Sequence, residues 1–95
     1  MEHDYDIIRK ALVSLAVEKA LFEIGKPVYE KVIETLYKEY HCYLPDCYDH
    51  PEYLNEILNK LYGGAHDVIV RSIKKQLDEF SNHKYIARFL SVISQ

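Results

Sequence analysis

The sequence has no tryptophan, only two cysteines, three glycines and three prolines, and it contains no long apolar run. Two cysteines are too few for the disulfide framework of a small secreted domain. A membrane span needs about 18 consecutive apolar residues, so we expect no contact with a membrane. The chain begins with Met1 to Asp4, which lack the positive charges of a secretory signal, and this predicts a cytoplasmic protein.

An excess of positive charge is also missing, since 12 Lys and Arg face 15 Asp and Glu and the formal net charge is −3. This balance argues against phosphate backbones as the dominant partner. What the chain does have is 48% hydrophobic residues and 13% aromatic residues, including nine tyrosines. That content excludes a disordered chain and, at this length, predicts one domain over residues 1–95.

Glycine and proline divide the chain into segments in which apolar residues recur at spacings of three and four. Gly25 ends the first segment, Pro27 and Pro51 open the second and third, and Gly63-Gly64 ends the third. No segment alternates apolar and polar residues as a strand does. The sequence therefore predicts an all-α fold, a compact bundle of about five helices. The predicted helices cover residues 5–24, 27–40, 51–62, 65–80 and 84–94.

The first predicted helix has two apolar stripes. They consist of Ile8, Leu12 and Leu15, and of Val13, Val17, Ala20 and Ile24. A helix that is apolar over so wide an arc is buried on more than one side. It is either the central helix of the bundle or a surface that binds another chain, as a homodimer or with a partner helix. The interaction surface predicted from this pattern consists of Ile8, Leu12, Val13 and Val17.

The loop after the second helix contains four residue types that bind zinc, namely His41, Cys42, Cys47 and His50. Adjacent side chains rarely turn toward one ion, and structural zinc sites usually join two separate pieces of chain, so we expect no metal here. A disulfide between the two cysteines is the other alternative, disfavoured in a reducing cytosol. The favoured interpretation is that Cys42 packs as a small apolar residue and His50 helps to cap the next helix.

Nothing in the sequence predicts an enzyme or a cofactor site. Cys42 as a nucleophile has imidazoles nearby, but no glycine-rich surroundings that would expose oxyanion-binding donors. Glu30, Glu34 and Lys38 follow one helix face at spacings of four, typical of a solvated surface. Phosphate-binding and dinucleotide-binding fingerprints are absent from the sequence. We therefore expect a non-enzymatic protein that acts through binding.

A nucleic-acid-binding regulator is the alternative function. Arg71, Lys74 and Lys75 lie on the outer side of the predicted 65–80 helix, with Arg88 a further candidate. The third helix, the Gly63-Gly64 turn and this helix fit the outline of a helix-turn-helix. A basic solvated face on an amphipathic helix is the more ordinary reading of the same cluster.

Short motifs along the chain resemble one known family. They are the segments 25–29 (GKPVY), 46–54 (DCYDHPEYL), 61–65 (LYGGA) and 73–77 (IKKQL). In these segments the chain resembles the Nitrosopumilus output domain family, small archaeal domains found alone or attached to signal-transduction modules. The resemblance covers roughly residues 16–95. It implies an all-α, non-enzymatic module in an archaeal cytoplasm, with a signal-output or protein–protein interaction role and no catalytic residues to transfer.

Overall fold

The computed structural model describes the backbone of residues 2–95 and the side chains from residue 5 onward. Met1 and the side chains of residues 2–4, the start that was predicted to carry no secretory signal, lie outside this range. The α-helices are α1 (Glu2–Ile24), α2 (Lys26–Tyr40), α3 (Pro51–Tyr62), α4 (His66–Gln76) and α5 (Lys84–Ile93). Three 3-10 segments lie between them, at Leu44–Tyr48, Gly63–Ala65 and Asp78–Phe80. Residues 2–95 contain no strand, which confirms the all-α class. Within this range no helix has the length and apolarity needed to cross a bilayer.

The chain is as compact as a single folded unit of its length. The Cα radius of gyration is 12.4 Å, and a folded chain of this size has a radius of about 12 Å. Every α-helix contributes to one cluster of buried apolar side chains. Its largest members are Phe89, Leu21, Leu36, Leu54, Ile57, Leu58, Ile69, Ile73, Leu77, Ile86 and Ile93. α1 packs against α2, α4 and the 44–48 segment, which places it at the centre of the fold.

The joint between α1 and α2 consists of the single residue Gly25. Its N–H donates to the Leu21 carbonyl at 3.0 Å, and its own carbonyl accepts from the N–H groups of Val28 and Tyr29. Pro27 occupies the first turn of α2, where a missing N–H leaves no hydrogen bond unmade. The chain therefore turns from one helix into the next without a loop, as the Gly–Pro pair predicts.

The fourth helix is shorter than the predicted 65–80 helix, which is wrong beyond Gln76. Leu77 has φ −106° and ψ 11°, and a 3-10 turn follows. Leu77 remains fully buried, but the tighter turn changes the direction of the next side chains, because a 3-10 helix has three residues per turn. Phe80, which continues the apolar stripe of α4 in the sequence, is consequently 38% exposed.

Candidate functional site: the outer face of the first helix

α1 has two apolar faces on opposite sides. Its inner face is buried and consists of Val13, Ala16, Val17, Ala20 and Leu21. On the other side four large apolar side chains remain exposed: Ile7 (54%), Ile8 (62%), Leu15 (62%) and Phe22 (44%). These four, with the small Ala11 between them, are called the outer face below. An α-helix rotates about 100° per residue, so Leu15 points about 160° away from both Val13 and Val17.

Two of the four residues in the predicted interaction surface are therefore inaccessible to a partner, and binding at the other two stays a prediction. Ile8 belongs to the outer face, but Val13 and Val17 are each 1% exposed and belong to the core cluster. Leu12 is partly buried and packs against that cluster. The physical reason is that Val13 and Val17 face the core, where α1 packs against α2, α4 and the 44–48 segment, whereas the described part of the chain leaves Leu15 62% exposed.

A shallow groove runs along one edge of the outer face. It has a volume of 410 Å³ and is lined by Ile7, Lys10, Ala11, Ser14, Leu15, Glu18 and Pro45. Lys10 forms the rim, where its Nζ donates to Asp49 at 2.9 Å and lies 4.0 Å from Asp46. The hydrogen bond to Asp49 is the main reason that the pKa of Lys10 is raised. The groove is therefore an apolar trough whose edge is held in place by ion pairs.

Three contacts with aromatic residues hold the two ends of α1 in place. At the carboxyl end, Phe22 stacks on Tyr29 with ring centroids 4.2 Å apart. At the amino end, the Arg9 Nε donates to the Tyr48 hydroxyl at 2.9 Å, and its guanidinium lies 4.4 Å from the centre of the Tyr85 ring. These contacts tie α1 to α2, to the 44–48 segment and to α5. The outer face is thus presented on a fixed helix.

The four zinc candidates do not converge. Cys47 is 1% exposed in the core, and the thiol of the partly buried Cys42 donates to the Tyr40 carbonyl at 3.4 Å. His41 and His50 are exposed. Both thiols are free. Among the side chains from residue 5 onward, no group of three or more His, Cys, Asp or Glu is arranged to hold a metal ion.

His41 and His50 have structural roles instead. His41 ends α2 with φ 54°, a left-handed conformation, and its N–H donates to the Tyr37 carbonyl at 2.9 Å. His50 precedes α3, as predicted, but its side chain does not cap the helix; its Nδ1 lies 3.1 Å from the Glu52 carboxylate. Its ring also stacks on Tyr53, which stacks in turn on Tyr40 at 4.1 Å. This stack of three rings joins the end of α2 to the start of α3.

Burial lowers the reactivity of both thiols. Desolvation raises the pKa of Cys47 to about 12, so this thiol stays protonated and unreactive near neutral pH. Burial also raises the pKa of Cys42, although its side chain is partly accessible. Neither cysteine has the lowered pKa of an activated nucleophile.

The predicted basic face is exposed but narrow. Arg71, Lys74 and Lys75 are exposed on α4, and none forms an ion pair with a described side chain. Asp67 lies beside Arg71 and Lys74 in a groove of 320 Å³ and reduces the local positive charge. Arg88 lines a different cleft, with Asp6 and Asp49. The structure thus groups three of the four cations.

The sequence pattern did not indicate the two buried polar residues, Thr35 and His66. His66 is 5% exposed at the start of α4, and its Nε2 lies 2.8 Å from the Ile93 carbonyl and 3.2 Å from the Asn55 side-chain oxygen. It therefore ties the end of α5 to α3 and α4. A histidine directly after the Gly-Gly-Ala turn was the only available signal.

The sequence matches no family model, and neither the curated proteins nor the solved structures include a detectable match to it.

Proposed function

We propose that this chain is a non-enzymatic interaction module, of the signal-output kind, that binds another protein chain through the outer face of α1. One observation supports this most directly: Ile8 and Leu15 are each 62% exposed on a helix whose opposite side forms the core. Large apolar side chains gathered in one exposed patch mark interaction sites on folded domains. The large exposed side chains of this face are apolar, so binding is the activity that it suits.

Two further points support the proposal. The resemblance to the Nitrosopumilus output domain family implies a module that acts through contacts with other proteins. The contacts of Arg9 and Phe22 hold α1 in place, so a partner would meet an ordered surface and pay little conformational entropy. We place the module in an archaeal cytoplasm on the same resemblance.

Affinity capture from extracts of the source cells, with and without nuclease, tests this function. We expect a protein to be retained by the natural chain after nuclease treatment and lost with Leu15→Glu. Val68→Glu is the matched control, because Val68 is 56% exposed on α4, away from the outer face. Equal retention by both variants would contradict the assignment of the face.

A nucleic-acid-binding regulator is the second candidate, favoured by three cations on α4 that pair with no carboxylate among the side chains from residue 5 onward. It requires duplex binding that weakens steeply with salt, because each neutralised phosphate releases counterions. Arg71→Glu combined with Lys75→Glu should abolish that binding. The control is Lys31→Glu with Lys38→Glu, two exposed lysines on α2. Absence of binding at low salt would eliminate this candidate.

A further inference from the structure

The large side chains of the outer face repeat at intervals of seven residues. Ile8, Leu15 and Phe22 follow this spacing along α1, and all three are exposed. Seven residues return an α-helix to within about 20° of the same direction, so the three side chains form one seam. Helices that pack against each other along their length carry two apolar positions in every seven residues, and this seam supplies one of the two. Ala11 lies between the first two members and leaves room for a close approach.

Two opposite charges flank this seam at the same height. At about 100° per residue, Glu18 lies on one side of Leu15 and Lys19 on the other. Neither makes an ion pair with any side chain described from residue 5 onward. In a parallel pair of identical helices the two-fold axis runs along the helices, so each flank faces the opposite flank of the other copy. Glu18 then faces Lys19 of the second copy, twice per dimer.

An antiparallel pair does not give this match. Its two-fold axis crosses the helices, so like flanks face each other and the Glu18 and Lys19 positions are separated along the axis. The charges therefore favour the parallel arrangement. We propose that the occupant of the outer face is a second copy of this chain, with the two α1 helices parallel and Ile8, Leu15 and Phe22 each facing its own copy. This inference rests on the proposed function, because it uses the same face.

The size of the outer face sets the expected affinity of the dimer. Four side chains that are 44–62% exposed present on the order of 400 Å² of apolar surface, which is about the size of the largest apolar patch on a monomeric protein. A standard interface buries about 800 Å² per partner, so the seam with its flanking residues gives an interface at the small end of the range. We expect a reversible dimer with a dissociation constant of about 10–100 µM.

Sedimentation equilibrium over about 5–500 µM chain spans this range of dissociation constants and tests the dimer. The natural chain should pass from monomer to dimer, and Leu15→Glu should raise the dissociation constant by about 30-fold or more, since each dimer loses two buried leucines and gains two buried charges. Val68→Glu should leave it unchanged. Circular dichroism of each variant checks that the fold is retained.

Charge exchange tests the parallel arrangement. Glu18→Lys alone and Lys19→Glu alone each create like-charge contacts and should weaken the dimer about 3- to 10-fold. An equimolar mixture of the two variants should recover the natural affinity, because each mixed pair is again of opposite sign. Both variants keep a negative net charge, so attraction between whole molecules does not explain a recovery. Failure of the mixture to recover would overturn the parallel arrangement.

The outcomes separate this inference from the proposed function. A chain that stays monomeric at 500 µM overturns the homodimer, and the proposed function then stands if Leu15→Glu abolishes capture of a protein. A dimer that survives Leu15→Glu overturns the use of this face for self-association. A monomer whose protein capture is also insensitive to Leu15→Glu overturns both.

Discussion

The two faces of α1 predict opposite outcomes for one substitution made at two leucines of the same helix. Leu21 is 0% exposed in the core, whereas Leu15 is 62% exposed. Leu21→Ala removes buried carbon atoms and leaves a cavity, so we expect the free energy of unfolding to fall by about 2–5 kcal/mol. Leu15→Ala removes little buried surface and introduces the best helix former, so we expect a change below about 0.5 kcal/mol.

Urea denaturation followed by circular dichroism at about 1 µM chain measures both values, with the slope checked for two-state behaviour. The low concentration keeps the natural chain below its expected dissociation constant, so only the monomer is compared. At about 200 µM the Leu15→Ala difference should increase, because dimerisation then stabilises the natural chain more than the variant. A loss of more than about 1.5 kcal/mol from Leu15→Ala at low concentration would refute the assignment of the two faces.

Other regions give three further predictions. A thiol reagent at pH 8 should label Cys42 first and Cys47 at least about 100-fold more slowly, because burial and a pKa of about 12 protect Cys47. The Cys42→Ala variant should show no fast phase of labelling. The pKa of Cys47 is higher in the folded chain than in the unfolded chain, so the contribution of Cys47 to the free energy of unfolding is complete below about pH 9 and lost as the pH rises to about 12. If urea titrations gave Cys47→Ala and the natural chain the same dependence of unfolding free energy on pH, this prediction would be contradicted. His66→Ala should lower the free energy of unfolding by about 1–3 kcal/mol, because it leaves the Ile93 carbonyl without its donor. A double-mutant cycle with Asn55→Ala isolates the contact between His66 and Asn55. A decrease below about 0.5 kcal/mol for His66→Ala would contradict the prediction.

The helix boundaries could be predicted where a residue fixes the backbone by its own covalent structure. Gly25 and Pro27 mark the α1–α2 joint, and Pro51 opens α3 where predicted. These signals are local: a missing N–H or a missing Cβ acts whatever the rest of the chain does. The end of α4 has no such signal, since Leu77 is a good helix former that leaves the helix only in the tertiary structure.

The choice between the two faces of α1 could not be made from the sequence. Val13 and Leu15 are both apolar, and periodicity identifies an apolar stripe without saying what covers it. Part of the cover on α1 comes from the 44–48 segment, which packs on α1 and places Leu44 and Cys47 in the core. In the sequence this segment is part of a polar, aromatic loop, so its contribution to the core gave no periodic signal.

The separation of α1 into two faces has a consequence for how such a protein changes over time. Under the proposed function, substitutions at Ile8 or Leu15 alter what the outer face binds at little cost to folding, whereas those at Val17 or Leu21 are constrained by the core. Under that proposal, binding specificity and folding stability depend on different residues of one helix. A lineage would then change its partner through the exposed positions of α1 while the buried core beneath them stays the same.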